Sequence, residues 1–308
     1  MVYINSNPIA QAPRQFGLQD ISDCMNAEEV IEKLGLGSYS EVPLAGFPTH
    51  KGIRDDLGNG IAVVGKGYHL AQPADVIRRV EPIAENLGAT FDQFAFLDEG
   101  RRFFLRCKMP REIDVVTSKG KDVQEARFST IGGVDASTRE THSLDVYRQV
   151  CENGMMGWAK DIVAGVKHTK NFDKRIFEAL GKAHGLAGAF DALQAKMQNW
   201  SNQDITRSQA KEIVNRIFVP AKGREVSTRL KTTRESVLRE FTNENRGAYG
   251  ETLYDLANAL TAWNTHERTR KDGSKSGGAG IAENRLLGLQ DSEALLETMS
   301  RESQLVLS

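Results

Sequence analysis

The chain has 308 residues, 40% of them hydrophobic and 26% charged, with a formal net charge of −1. That is the composition of a folded, water-soluble protein with room for one large or two ordinary domains. No stretch approaches the roughly 18 uninterrupted apolar residues of a membrane-crossing helix, and the opening Met1-to-Pro8 segment lacks the basic-then-apolar order of a secretory signal.

Residues 1–45 read as a polar arm followed by a short helix, with Asn26 placed to cap residues 27–34 and Gly35 to end them. A turn-rich passage runs from Pro43 through Pro48 to Gly60. Residues 61–65, Ile-Ala-Val-Val-Gly, are short, apolar and β-prone. From Pro73 the apolar positions Val76, Ile77, Val80, Ile83, Ala84 and Leu87 recur at helical spacing and stop at Gly88. Residues 90–97 return to strand character, Asp98-Glu99-Gly100 makes a turn, and residues 101–109 alternate toward a second strand. Strand, helix and hairpin predict an α+β core over residues 46–143: a small antiparallel sheet with a packed helix, with more strand and loop at 115–133.

From about Leu144 the pattern turns helical, and residues 144–308 are expected to be mostly helix. The candidates are residues 145–162, 172–197, 208–218, 227–243 and 249–268. The last is the most periodic, with Tyr249, Leu253, Leu256, Leu260 and Trp263 on one face. A Gly-Ser-rich flexible loop near 271–280 is the one low-complexity piece.

Charge is unevenly spread. Residues 1–150 hold 17 Lys and Arg against 21 Asp and Glu, whereas from Arg207 to Arg285 the count is 15 against 10. This permits a polyanionic partner. Lys167, His168 and Lys170, with Lys174 and Arg175, form a cationic group that reads either as a phosphate contact or as a solvated helix start capped by Thr169. Lys222, Arg224, Arg229, Lys231, Arg234 and Arg239 form the densest basic stretch. It suits either a groove that tracks a single strand or an exposed helix laced with ion pairs to Glu225, Glu235 and Glu240. Arg268 and Arg270 precede the Gly-rich run, which carries only a fragment of a phosphate-binding loop pattern.

Two segments mix amides, a His-Thr pair or cations with large apolar groups: residues 150–158, continued at Lys167-His168-Thr169, and residues 258–268. An amide on an apolar helix face, as at Asn258, needs a partner, and a shared polar network with Asn153 and His168 would supply one. Cys24, Cys107 and Cys151 are too few and too scattered for a disulfide scaffold or a CxxC metal pair, and the thiols read as reduced and cytoplasmic. Cys151 as a nucleophile would need His168 or His142 beside it. The six His show no zinc-type spacing. No catalytic residue, metal or cofactor is assigned from these patterns.

Arg148-Gln149-Val150-Cys151-Glu152-Asn153-Gly154-Met155, Val166-Lys167-His168-Thr169, Ala248-Tyr249-Gly250, Asn258-Ala259-Leu260-Thr261 and His266-Glu267-Arg268 resemble the phage/plasmid-like family of unknown function, over roughly residues 60–288. The chain departs from that pattern at Ala262-Trp263-Asn264. The strand, helix and hairpin at residues 61–109 are in turn similar to the small α+β core of phage single-strand annealing proteins. The resemblance implies a phage- or plasmid-borne protein in the host cytoplasm that binds single-stranded DNA and promotes annealing in recombination or replication, as a homo-oligomer.

On that expectation Lys167, His168, Lys170, Arg229, Lys231, Arg234, Arg268 and Arg270 contact phosphates, and Tyr249 and Trp263 either stack on bases or pack in the core. The rival is an enzyme acting on nucleic acid or nucleotides through a pocket of Asn153, His168, Asn258 and His266. A third reading is a non-catalytic assembly or host-defence-blocking protein.

Overall fold

The structure, a computed structural model, describes residues 17–148, 153–156, 164–166, 168, 186–246, 248–267 and 281–308. Its centre is a long antiparallel hairpin, β6 (Arg102–Thr117) and β7 (Gly120–Gly133). β5 (Thr90–Leu97) joins one side of it, with β1 (Gly17–Asp20) outermost. On the other side comes β8 (Glu140–Arg148), whose far edge takes β9 (Asn153–Met156) at one end and β10 (Ala164–Val166) at the other. A separate antiparallel sheet is built from β2 (Ser40–Pro43), β3 (His50–Arg54) and β4 (Gly60–Gly65).

The helices are α1 (Ala27–Leu34), α2 (Pro73–Asn86), α3 (Leu186–Ser201), α4 (Arg207–Ile217), α5 (Thr228–Glu240), α6 (Leu253–Ala262) and α7 (Ile281–Leu307). The fold is therefore α+β, with most of the helix in the C-terminal half. Local chemistry sets the boundaries. Asn26 caps α1 by accepting from the Glu29 amide, and Gly35 ends it in the left-handed region. Thr206 and Thr252 form capping boxes at the starts of α4 and α6 with Gln209 and Asp255.

Strand alternation divides the large sheet into two faces. Phe94, Phe96, Phe103, Leu105, Cys107 and Phe128 share a core with Val30 of α1 and Val76, Ile77 and Val80 of α2. Farther along the hairpin, Ile113 and Val115 join the same core with Phe190, Met197 and Trp200 of α3. There Gln194, Gln198 and Ser201 donate to the carbonyls of Asp114 and Val116. The opposite face is apolar at Ala95, Leu97, Phe104 and Ile131, then becomes ionic. Arg127 pairs there with Asp92 and Glu125, and Lys108 reaches Glu125 at 2.9 Å.

Three sequence expectations are corrected. Residues 145–148 and 153–156 are strand, not helix, because β7 offers a complete edge and Glu140, His142 and Val146 alternate into the interior. The strand at 61–65 does not share a layer with the hairpin at 90–109. It pairs with β3, and the outer edge of β5 is taken by β1, a strand inside what read as a polar arm. Tyr249 stands outside the helix that was to begin with it, and α6 runs on into a π-helical turn at Trp263–Glu267. Of the expected helix at 172–197 only the part from Leu186 lies within the described residues.

Candidate functional sites: an exposed basic edge and a buried histidine network

The strongest local charge sits on α4, α5 and the loop between them. Residues 207–240 hold nine Lys and Arg against four Glu in a chain of net charge −1. Arg207, Lys211, Arg216, Lys222, Arg224, Arg229, Lys231 and Arg239 are all exposed. The acidic residues offset them weakly: Glu240 is buried, and Glu212 is committed to Arg216 one turn along α4. Arg234 has a different task. Its guanidinium donates to the Phe218 carbonyl (2.6 and 3.0 Å) and the Asn215 carbonyl (3.3 Å), closing the C-terminal end of α4. It ties the two helices together and so fixes the spacing of the cations around it.

The second cluster is buried between α2 and the β7–β8 end of the sheet. Arg79 of α2 donates to Glu140 Oε2 at 2.7 Å, and Glu140 Oε1 lies 3.2 Å from His142 Nε2. His142 Nδ1 lies 2.9 Å from the Thr130 hydroxyl on β7, and its ring stacks on Phe128. Burial works against the charge on Glu140, but the His142 ring and the Arg79 guanidinium outweigh it and hold the carboxyl below its ordinary range. His168 is beside this group, its ring 5.3 Å from that of Tyr68 and its carbonyl accepting from the His69 amide. Burial pushes the His168 pKa down, with Glu140 only partly opposing, so the ring is neutral at pH 7.

Hydroxyl, imidazole and carboxylate in that order form the chain of an acyl-transfer triad. Accessibility decides against the chemistry: Thr130, His142 and Glu140 are 0%, 2% and 0% exposed. A substrate carbonyl has no approach to that hydroxyl. The network serves as a polar clamp between α2 and the sheet.

The residues expected to meet in a pocket are spread over the fold. Val166 pairs with Glu140 and Asn153 with Arg148, so the strands leading to His168 and Asn153 sit at opposite ends of β8. Eight residues of strand separate those two pairing positions by roughly 26 Å at about 3.3 Å per residue. Asn258 lies on α6, which is buried on every side and packs against β9, the strand of Asn153. Among the described residues its Nδ2 has no hydrogen-bond partner. His266 falls in the π-helical turn.

Among the expected phosphate contacts, Arg229 and Lys231 are exposed on α5, whereas His168 is 6% exposed and neutral and cannot act as a surface cation. Lys167, Lys170, Arg268 and Arg270, like Cys151, lie outside the described residues. The two aromatics diverge: Trp263 is 8% exposed and packs edge-on against Phe218, while Tyr249 is 37% exposed. Arg79, Glu140 and Thr130 were not singled out from the sequence. The only local signal was Glu140 and His142 two apart on a strand, which becomes a site only when α2 supplies Arg79. Among the described residues, no three His, Cys, Asp or Glu side chains converge as metal ligands, and no helix is long and apolar enough to cross a membrane.

Fold and sites together define an α+β protein in which a two-sheet core carries a mainly helical, locally basic C-terminal half. The domain of unknown function DUF932 matches residues 61–286, most of the chain, and the protein belongs to that family. No curated protein and no solved structure matches it.

Proposed function

We propose that this protein binds single-stranded DNA along the exposed basic edge of α4 and α5 and promotes annealing of complementary strands in phage or plasmid recombination or replication. The observation that carries the reading is the nine-to-four excess of cations over residues 207–240, eight of them exposed. An almost neutral chain has no overall field to attract a polyanion, so a local excess of this kind supplies the attraction. Single strands suit an edge built from a loop and helix surfaces, because a flexible backbone can follow it. Several copies assembled along one strand would add many weak phosphate contacts. The protein acts in the host cytoplasm and uses no cofactor for binding.

Fluorescence anisotropy with labelled single-stranded and duplex DNA over a salt series tests this. Tighter binding to the single strand is expected, with a log–log salt slope of about −0.7 per phosphate neutralised. Reversing Lys222, Arg224 and Lys231 to Glu should abolish binding, while reversing the exposed Lys66 outside this edge should not. No binding at low salt, or equal loss in both variants, would overturn the reading.

A further inference from the structure

Tyr249 stands at a junction. Its turn is set by Gly250, which has φ of +74°; a Cβ there would lie 2.8 Å from Thr242 Cγ2 and 3.4 Å from the Phe241 carbonyl. The end of α5 therefore packs directly under the Tyr249 turn. The start of α4 meets the same turn from the other side, through Ile205 N donating to the Glu251 carbonyl and Leu253 N to the Gln203 carbonyl, both 2.9 Å. The basic segment thus begins and ends against the turn that carries Tyr249. A third element arrives from the tip of the β6–β7 hairpin. There Lys119 Nζ lies 5.6 Å from the Tyr249 ring centroid and 3.1 Å from Glu251, and the Ser118 hydroxyl donates to Glu251 at 2.8 Å.

An aromatic ring 37% exposed, on a turn that only glycine permits and with an ammonium over its face, is unusual as packing. Core aromatics in this fold are sealed, and the other exposed aromatic among the described residues, Phe47, lies on the β2–β3 turn away from the basic segment. A tyrosine side chain has only two rotatable bonds, so little entropy is lost when a flat partner stacks on its ring. That ammonium would meet the phosphate that accompanies a stacked base.

We infer that Tyr249 is a stacking platform for an unpaired nucleobase, with Lys119 taking the adjacent phosphate. The inference rests on the single-strand-binding reading and adds the element that senses bases and not only backbone charge. Lys119 lies far in sequence from the basic segment, so the site joins the hairpin tip to the helical half.

The test compares two labelled strands of equal length, one of thymidines and one wholly abasic, against the full-length protein and its Tyr249→Ala, Tyr249→Phe and Tyr249→Trp variants. Base stacking on a protein aromatic contributes enough that Tyr249→Ala should weaken binding to the thymidine strand by about tenfold. The salt slope should stay unchanged, since no phosphate contact is removed. Tyr249→Phe and Tyr249→Trp should bind like the wild type, and all four proteins should bind the abasic strand alike. Circular dichroism melting confirms that each variant is folded. If Tyr249→Ala binds thymidines as the wild type does, or loses equally on both strands, the platform is refuted while single-strand binding stands. If the wild type binds neither strand, both fall together.

Discussion

Glu140 shows how one residue links distant parts of this chain. It is fully buried, yet ionised, because the Arg79 guanidinium donates to it and the His142 ring lies against it where water is excluded. Removing a partner leaves a buried charge uncompensated, so Arg79→Ala should destabilise the protein by about 3–5 kcal/mol, read from urea denaturation. The titration of this corner has a definite sign. Glu140 and His168 both have folded pKa values below their ordinary 4.5 and 6.5, so the unfolded chain binds more protons than the folded one. Their contribution is fully present above those values and is lost as pH falls, first for His168 below about 6.5, then for Glu140 below about 4.5. The urea midpoint should therefore fall between pH 8 and pH 5, and His168→Asn should flatten that part of the curve. Asn258 carries a cost of a simpler kind: a buried amide nitrogen with no acceptor among the described residues. Asn258→Leu should raise stability by about 1 kcal/mol, visible as a higher melting temperature; a lower one would show that the amide has a role the protein needs.

At the scale of elements, the main hairpin depends on a glycine for packing. A Cβ at Gly132 would lie 2.3 Å from the Phe103 ring, which is itself sealed in the core. Gly132→Ala must displace that ring, and a cost of about 1–3 kcal/mol is expected, measured by thermal or urea unfolding. The helices expected from the sequence and found in the structure share apolar positions at helical spacing, and in α1, α4 and α5 a side chain caps the start. α1 is the plainest case, with Asn26, Val30 and Gly35 each at its expected place. Residues 145–148 and 153–156 went the other way. A short run containing Leu144, Val146 and Val150 fits helix or strand by composition, and only the open edge of β7 selects strand. β1 was illegible for a related reason: four residues, Gly17–Asp20, have no periodicity of their own and become a strand because β5 needs a partner.

At the scale of the whole molecule, the net charge of −1 conceals separate regions. The ionic face of the large sheet pairs its charges internally through Arg127, Asp92, Glu125 and Lys108, so it adds little to the outer field. The α4–α5 edge is where exposed positive charge is densest. Binding of a polyanion should therefore depend chiefly on that edge: reversing Lys222, Arg224 and Lys231 should abolish it, with melting temperature nearly unchanged because these side chains are exposed.

The sequence by itself determined the fold class, the caps of α1, the approximate spans of α2, α4 and α5, the hairpin turn at Asp98-Glu99-Gly100 and the density of cations after Arg207. All of these depend on neighbours a few residues away, and local sterics and hydrogen bonding are written in local sequence. Tertiary structure alone decided which strands share a sheet, that Asn153 and His168 lie apart, that Arg234 caps a helix, and that Trp263 is sealed while Tyr249 reaches solvent. Burial and pairing are settled by segments far away in the chain, and no periodicity in the residues themselves records which distant surface will cover them.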